Sequence, residues 1–492
     1  MAIRPPVAVR WPLSSAPGAT PQESAGRLVN CYGEPLGDTG PAKAVWRRSP
    51  GLTAFATTGF VGYRGSILVN NLAFVALKDK VITVDDTGAV TVVGTLAGTK
   101  RVTWARNVLS PTPQIQCVDP DNGAFDVTTG AVNAFNAGGI LPQPNSVFYQ
   151  DGYFFWTIAD GRVFASEINS ETVNALTFEA IQSHAQDTLI RGIGYKGLAF
   201  FFKTKSCEIW NDTANAAPGF PYSRLSVIDR GLLGASAIAG WEDGFGKVLW
   251  VADDFGVYMF GSDNPGLYQS AYGLQPQKVS SPDVDRDIRA VTDPSTLEAS
   301  CYVHAGHSFW SLSSPTWTWE INLNTQKWNE RLSFNAGQYS RWRSTGSLNA
   351  FGRWLTGDAQ TGNLVFIDDT NYSELGLPML MRMESGPVVD FPNRMRVARA
   401  DFDFVTGVGM SAGTTANQTD PACAISWSRD DGVTWGNPLI RALGRQANSQ
   451  RRINVMPNVL AGPQGMRWRF DITDPVYAAF MGSTMSANPR AN

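Results

Sequence analysis

Side chains able to do acid–base or metal chemistry are few in this chain. Histidine occurs three times, at His184, His304 and His307. His304-x-x-His307 with Cys301 nearby has the side chains of a three-ligand metal site, since imidazole and thiolate are the usual zinc ligands. The segment reads as strand, however, and residues three apart on a strand face opposite sides of the sheet. The spacing predicts surface or turn histidines. The doublets Asp253-Asp254, Asp368-Asp369 and Asp430-Asp431 all lie beside turn sequences, where carboxylates cap backbone amides. Neither a phosphate-binding glycine loop nor H-E-x-x-H occurs, so nucleotide and zinc-protease chemistry each lack their constellation. The chain is expected not to be an enzyme, with no catalytic, cofactor-binding or metal residues.

One short motif does stand out. Ser428-Arg-Asp430-Asp431-Gly432-Val-Thr434-Trp435 fits S-x-D-x-G-x-T-W, the Asp-box hairpin of sialidase propellers. Its need is structural: Ser428 and Asp430 cap turn amides, Gly432 supplies a positive φ and Trp435 packs beneath the turn, with Thr434 the remaining residue of the pattern. A propeller-type glycan-binding or glycan-hydrolysing protein is the alternative function this box raises. The carboxylates, tyrosine and arginine triad of such a hydrolase cannot be assembled from the spacing.

The elements that position these residues are short strands. At 492 residues the chain exceeds what one core usually supports. Sixteen Trp, 26 Phe and 13 Tyr, together with 48 Gly and 29 Pro, describe many strands packed through rings and separated by turns. A formal net charge of -3 gives no global drive toward phosphate. The five cysteines, Cys31, Cys117, Cys207, Cys301 and Cys423, are odd in number and contain no C-x-x-C, which predicts free buried thiols. No window holds the ~18 apolar residues of a membrane helix, and no secretory leader is read at the N-terminus.

The stretch from Arg191 to Ala239 keys the architecture. Leu198 to Phe202 and Cys207 to Trp210 read as two strands around a Lys203–Ser206 turn, followed by Tyr222 to Ile228 and a Gly-rich exit into a fourth run. Four short strands in roughly 45 residues is the shape of a propeller blade. The layout recurs with turns at Asn70-Asn71, Asp121-Asn-Gly123, Asp151-Gly152 and Thr361-Gly-Asn363, and Trp319 to Trp328 resembles a kelch-type blade. The expected fold is all-β: an extended N-terminal arm over 1–44, a propeller of six or seven blades over 45–376, and a C-terminal β-sandwich over 377–492. The run near Leu52 to Phe55 is the candidate for a strand that closes the last blade. In the sandwich region arginine is the only base, a choice that favours planar, multi-donor contacts at interfaces.

Several segments resemble the tail-hub proteins of short-tailed bacteriophages, also called packaged-DNA stabilisation or tail nozzle proteins. They are Arg27-Leu-Val-Asn30-Cys-Tyr32-Gly-Glu34-Pro35, Arg48-Ser-Pro50-Gly51-Leu52, Arg64-Gly65, Gly192-Ile-Gly194 through Trp210, Asp229-Arg230-Gly231, Leu443-Gly444, Arg451-Arg452 and Arg469 to Thr473. The Pro-rich stretch before Arg27 is longer than the family's. The resemblance implies a structural virion protein of the phage tail, assembled in the host cytoplasm as a homo-hexameric ring below the portal ring and head-to-tail adaptor. The ring would extend the DNA channel, hold packaged double-stranded DNA, and carry tail spikes or fibres outside and a needle or plug at its tip. Arg27, Asn30, Tyr32, Arg48, Arg451 and Arg452 are its candidate assembly residues, and no cofactor is implied.

Overall fold

The computed structural model describes residues 6–37, 42–181, 186–214, 219–260 and 275–490. His184 lies outside them. The chain divides into two compact units, one of 54–303 with 343–366 and one of 1–53 with 304–342 and 367–492.

The first unit is the propeller. Five blades are complete four-stranded antiparallel sheets spanning 63–95, 103–135, 146–180, 189–228 and 238–278. A sixth begins with Ser344–Ala350 and Arg353–Asp358, and the Gly51–Ala56 strand joins that sheet through its residues 54–56. Glu298–His304 adds a further inner strand through residues 298–303. Two-residue turns with positive φ at both centres link the first two strands of several blades: Asn70-Asn71 (47°, 61°), Asp151-Gly152 (47°, 96°), Lys196-Gly197 (51°, 77°) and Phe351-Gly352 (55°, 70°). That backbone twists with its strands, which is why such hairpins are tight.

Second strands are buried on both faces; all six residues of Leu198–Lys203 and all five of Ile115–Asp119 are buried. Apolar clusters then form between blades. One joins Phe148, Phe155 and Val163 to Phe201, Trp210 and Tyr222 of the next blade, and another joins Val69, Phe74 and Val81 to Val102, Ile115 and Cys117. At the closure, Tyr63 of the 63–95 blade lies on the sixth blade's backbone. A Cβ added at Gly357 would come 2.5 Å from Tyr63 Cβ, and one at Gly346 2.2 Å from Cε1. Only glycine leaves room for the ring there.

The second unit is a β-sandwich. One sheet runs 31–35, 44–48, 479–490, 394–404, 453–455, with 7–8 and 459–461 at its margins. The other runs, within this unit, 307–313, 318–322, 327–330, 27–29, 381–384, 467–472, 422–428, 439–442. Between them lie Trp11, Trp46, Phe402, Phe404, Trp468, Phe470 and Phe480, with ring centroids of Phe404, Phe470 and Phe480 4.8–4.9 Å apart.

Two boundaries differ from the sequence reading. The described part of residues 1–44 is not an arm without a core: Arg27–Val29 is a central strand of one sheet, Cys31–Pro35 is the end strand of the other, and Trp11 is 8% exposed. Arg27–Val29 pairs in parallel with Lys327–Glu330 and antiparallel with Met381–Glu384. Pairing with residues some 300 positions away, not local periodicity, makes Arg27–Val29 a strand, whereas Cys31–Pro35 pairs with the nearby Ala44–Arg48. The kelch-like hairpins of 307–330 likewise belong to the sandwich unit.

Candidate functional site

The innermost strands of the propeller surround a cavity of 460 Å³, with walls contributed by Tyr63–Val69, Thr103–Arg106, Ser146–Gln150, Leu189–Tyr195, Ile238–Ala239, residues 298–299 and Ser344–Ala350. The blade-first strands line this cavity along their length, so charged residues on and beside them converge there. Arg101 donates from Nε to Glu298 Oε1 (3.1 Å), lies 2.7 Å from Glu298 Oε2 through Nη2, bonds the Thr345 hydroxyl, and sits 5.0 Å over the Tyr63 ring. Glu242 accepts from Gly240 N (2.6 Å), Ser347 Oγ (3.2 Å) and Cys301 Sγ (3.3 Å). Burial and the neighbouring Glu242 push the Cys301 thiol well up, so it stays protonated and donates. Arg191 stacks 4.7 Å over Trp241 and donates from Nη1 to Ala235 O (2.8 Å).

Buried ion pairs fasten the blades. Arg64, 2% exposed, donates to the carbonyls of Lys100, Lys78 and Leu96 at 2.7–2.8 Å and reaches across to Asp119 of the neighbouring blade. Arg343 grips Asp358 with two parallel bonds of 2.9 and 2.7 Å. Lys203 lies 2.7 Å from Glu208, both fully enclosed. Sequence reading quoted Arg64 only within a resemblance and passed over the other pairs. Their partners are up to 55 residues apart, and a charged residue inside an apolar run was the one available clue.

The proposed assembly residues fall into two groups. Asn30 is buried, with φ 50°, and its amide donates to Leu332 O and Leu380 O at 2.8 Å. Tyr32 is 3% exposed against Phe309 at 5.1 Å. Arg48, 2% exposed, clamps the carbonyls of Asp474, Val476 and Met379, and burial lowers its pKa to about 10. These three are consumed inside their own unit, which corrects their assignment to a subunit interface. Arg27 is half-buried and pairs with Glu330 at 2.5 Å. Arg451 and Arg452 are exposed, Arg452 3.9 Å from Asp401.

The Asp-box-like turn folds as a network. Ser428 Oγ donates to Asp430 Oδ1 (2.6 Å) and accepts from Gly432 N (2.8 Å), while Asp430 accepts from Thr434 N (2.9 Å) and Thr434 Oγ1 (2.5 Å). Gly432 has φ 91°, and the Trp435 ring lies under the Arg469 guanidinium at 4.4 Å. Asp430 is held below the usual carboxylate range: burial pushes it up, but the bonds from Ser428 and Thr434 prevail.

The histidines depart from expectation. Ala305-Gly306 forms a tight turn (φ 49° and 78°) that folds His304 and His307 back on one another, and both rings face Tyr32, at 6.3 and 5.6 Å. His304 is buried, with Nδ1 2.6 Å from Asp369 Oδ1. Burial holds it below the ordinary imidazole value although Asp369 pulls the other way. Cys301 is engaged elsewhere, and among the described residues no group of three or more His, Cys, Asp or Glu could hold a metal ion. The five cysteines are free and buried.

The sequence matches no curated protein. Among solved structures it is similar, at 10% identity, to the WD40 β-propeller domain of Doa1 (64% of this chain, 97% of that one, TM-score 0.40), streptogramin B lyase (64% and 96%, 0.40) and the RRP9 WD40 repeats (65% and 99%, 0.39). The family model described as bacteriophage P22 Gp10, β-propeller, matches residues 28–372. That span takes in every propeller blade and residues 28–35 of the segment that carried the sequence resemblance, so the chain belongs to this phage-stabilisation family of virion structural proteins.

Proposed function

We propose that this protein is the subunit of a tail hub or nozzle ring that extends the DNA channel below the portal and adaptor and retains packaged DNA. The observation that carries this reading beyond family membership is the closed centre of the propeller. Its cavity of 460 Å³ is the size of a small-molecule pocket, and the Arg101–Glu298 pair lies on its wall. A duplex does not pass through such an opening, so a conduit has to be enclosed between copies. A homo-hexamer is the ring the family resemblance implies, and a chain with net charge -3 offers the duplex little to stick to.

Surfaces suited to assembly are on the sandwich unit: Phe391 (78% exposed), Met456 (66%) and Ile440 (61%) are bare apolar side chains, and Arg451 and Arg452 are exposed. Aromatic, Met and Arg residues are those enriched at interfaces. Spikes or fibres would dock outside the ring and a needle or plug at its tip. The test is electron microscopy with mass measurement on the full chain mixed with its portal–adaptor complex. Six-fold rings on the adaptor are expected; a chain that stays monomeric and does not join the adaptor would rule the reading out.

A further inference from the structure

Arg191, one of the cations lining the propeller cavity, has incomplete surroundings. Arg191 enters from the Leu189–Tyr195 strand, lies flat on Trp241, and is anchored only through Nη1 to Ala235 O. Its Nε is buried with no hydrogen-bond partner. Among the described residues no carboxylate comes within ion-pair distance of it, and burial drops its pKa to about 10, with Glu242 the compensating charge. Two other cavity cations differ: Arg101 has Glu298, and Arg64 has Asp119. Two of the wall carboxylates are already occupied, Glu298 by Arg101 and the Thr345 hydroxyl (2.7 Å), Glu242 by Gly240, Ser347 and Cys301.

With Nη1 anchored, the Nε–Nη2 edge of Arg191 remains. A planar pair of donors along that edge is what a carboxylate or phosphate grips with two parallel bonds. Further donors stand nearby: Ser236 lines the cavity next to Ala235, and Thr103, whose Oγ1 accepts from Val147 N (2.9 Å), keeps its hydroxyl proton to give. Leaving a buried guanidinium N–H unmatched costs free energy that a bound oxyanion would recover.

We infer that the centre of the propeller is a binding site for a small oxyanion, a molecule bearing a carboxylate or phosphate group, held side-on by Arg191 over Trp241. The cavity volume admits a ligand of metabolite size and excludes a polymer.

The test is calorimetric titration of the full chain with inorganic phosphate and, separately, with citrate, at constant ionic strength. Saturable binding of at least one is expected, weakened by about tenfold or more in Arg191→Gln and unchanged in Arg452→Gln on the other unit. The two titrations tell phosphate from carboxylate preference. No binding of either, or equal binding by Arg191→Gln, would overturn the site. Should Arg191→Gln fail to fold, a crystal of the unaltered protein soaked in selenate decides: anomalous density against Arg191 supports the site, and its absence there refutes it.

Discussion

Arg343 and Asp358 face each other in the sixth blade as a fully buried, two-bonded pair, Nε to Oδ1 at 2.9 Å and Nη2 to Oδ2 at 2.7 Å. Asp358 also accepts from Gln360 N (3.0 Å) and from the Thr361 hydroxyl, so one carboxylate fixes both an arginine and the turn beyond it. Breaking such a pair strands a charge in the interior. Arg343→Ala should cost about 3–5 kcal/mol, read as a lower denaturant midpoint. Replacing both residues with apolar ones of similar size should cost distinctly less. Equal losses would mean that the pair contributes more than relief from a buried charge.

The same carboxylate sets a pH dependence. Burial raises the pKa of Asp358, but the bonds from Arg343 and Thr361 lower it further, and the net displacement is downward. Asp187 and Asp368 are displaced in the same direction. A folded value below the unfolded one gives stability that is complete above the unfolded carboxylate value of about 4 and is lost as pH falls through the folded value. Thermal melts should therefore be level above about pH 5 and drop on acidification. Asp358→Asn should be less stable at neutral pH and show a shallower acid slope; an unchanged slope would count against this origin.

Ring closure at Tyr63 is steric. Gly357 meets the Tyr63 side chain with no space for a methyl group, so Gly357→Ala should cost about 1–3 kcal/mol, the usual penalty of overpacking. Tyr63→Ala in the same chain should return part of that loss. Hydrogen exchange of the 63–95 and 344–366 strands would report where the ring opens.

Trp11 ties the N-terminal segment into the sandwich, with Nε1 donating to Ser483 Oγ at 2.9 Å and its ring 4.9 Å from Phe480. Trp11→Ala should destabilise the sandwich unit by about 3–5 kcal/mol and leave exchange protection of the blades unchanged. Deleting residues 1–26 should act in the same direction and weaken incorporation into particles. Simultaneous loss of protection in both units would show that they melt together.

Arg451→Glu with Arg452→Glu tests the assembly surface. Both side chains are exposed, so the melting behaviour should move by no more than about 0.5 kcal/mol while ring formation on the adaptor falls. Unaltered assembly would remove these arginines from the interface.

Blades were legible in the sequence because the information is local. Leu198–Phe202 is a continuous apolar run, Asp151-Gly152 is a turn dipeptide, and Arg394–Phe404 alternates buried and exposed residues as a half-buried strand must. Partnership was illegible. Ala479–Arg490 is the longest strand among the described residues, yet Gly482, Pro489 and several small polar residues hide its period. Asn30, Tyr32 and Arg48 were read as interface residues because polar side chains in extended sequence resemble surface, and only the distant carbonyls of Leu332, Leu380 and Met379 reveal what they hold. His304 and His307 were placed on opposite faces because the Ala305-Gly306 turn between them went unread. Arg191 carried no local mark of its incomplete surroundings.

The position of Arg27–Val29 between Lys327–Glu330 and Met381–Glu384 has a temporal meaning during translation. A strand made near the start must wait for neighbours made three hundred residues later, and the partner of Ala44–Arg48 on that side, Ala479–Arg490, ends the described chain. Such late pairing is the slow kind. Until Ala479–Arg490 has left the ribosome, the polypeptide holds an unfinished sandwich with bare strand edges, the surfaces on which a nascent chain is most exposed to wrong pairing.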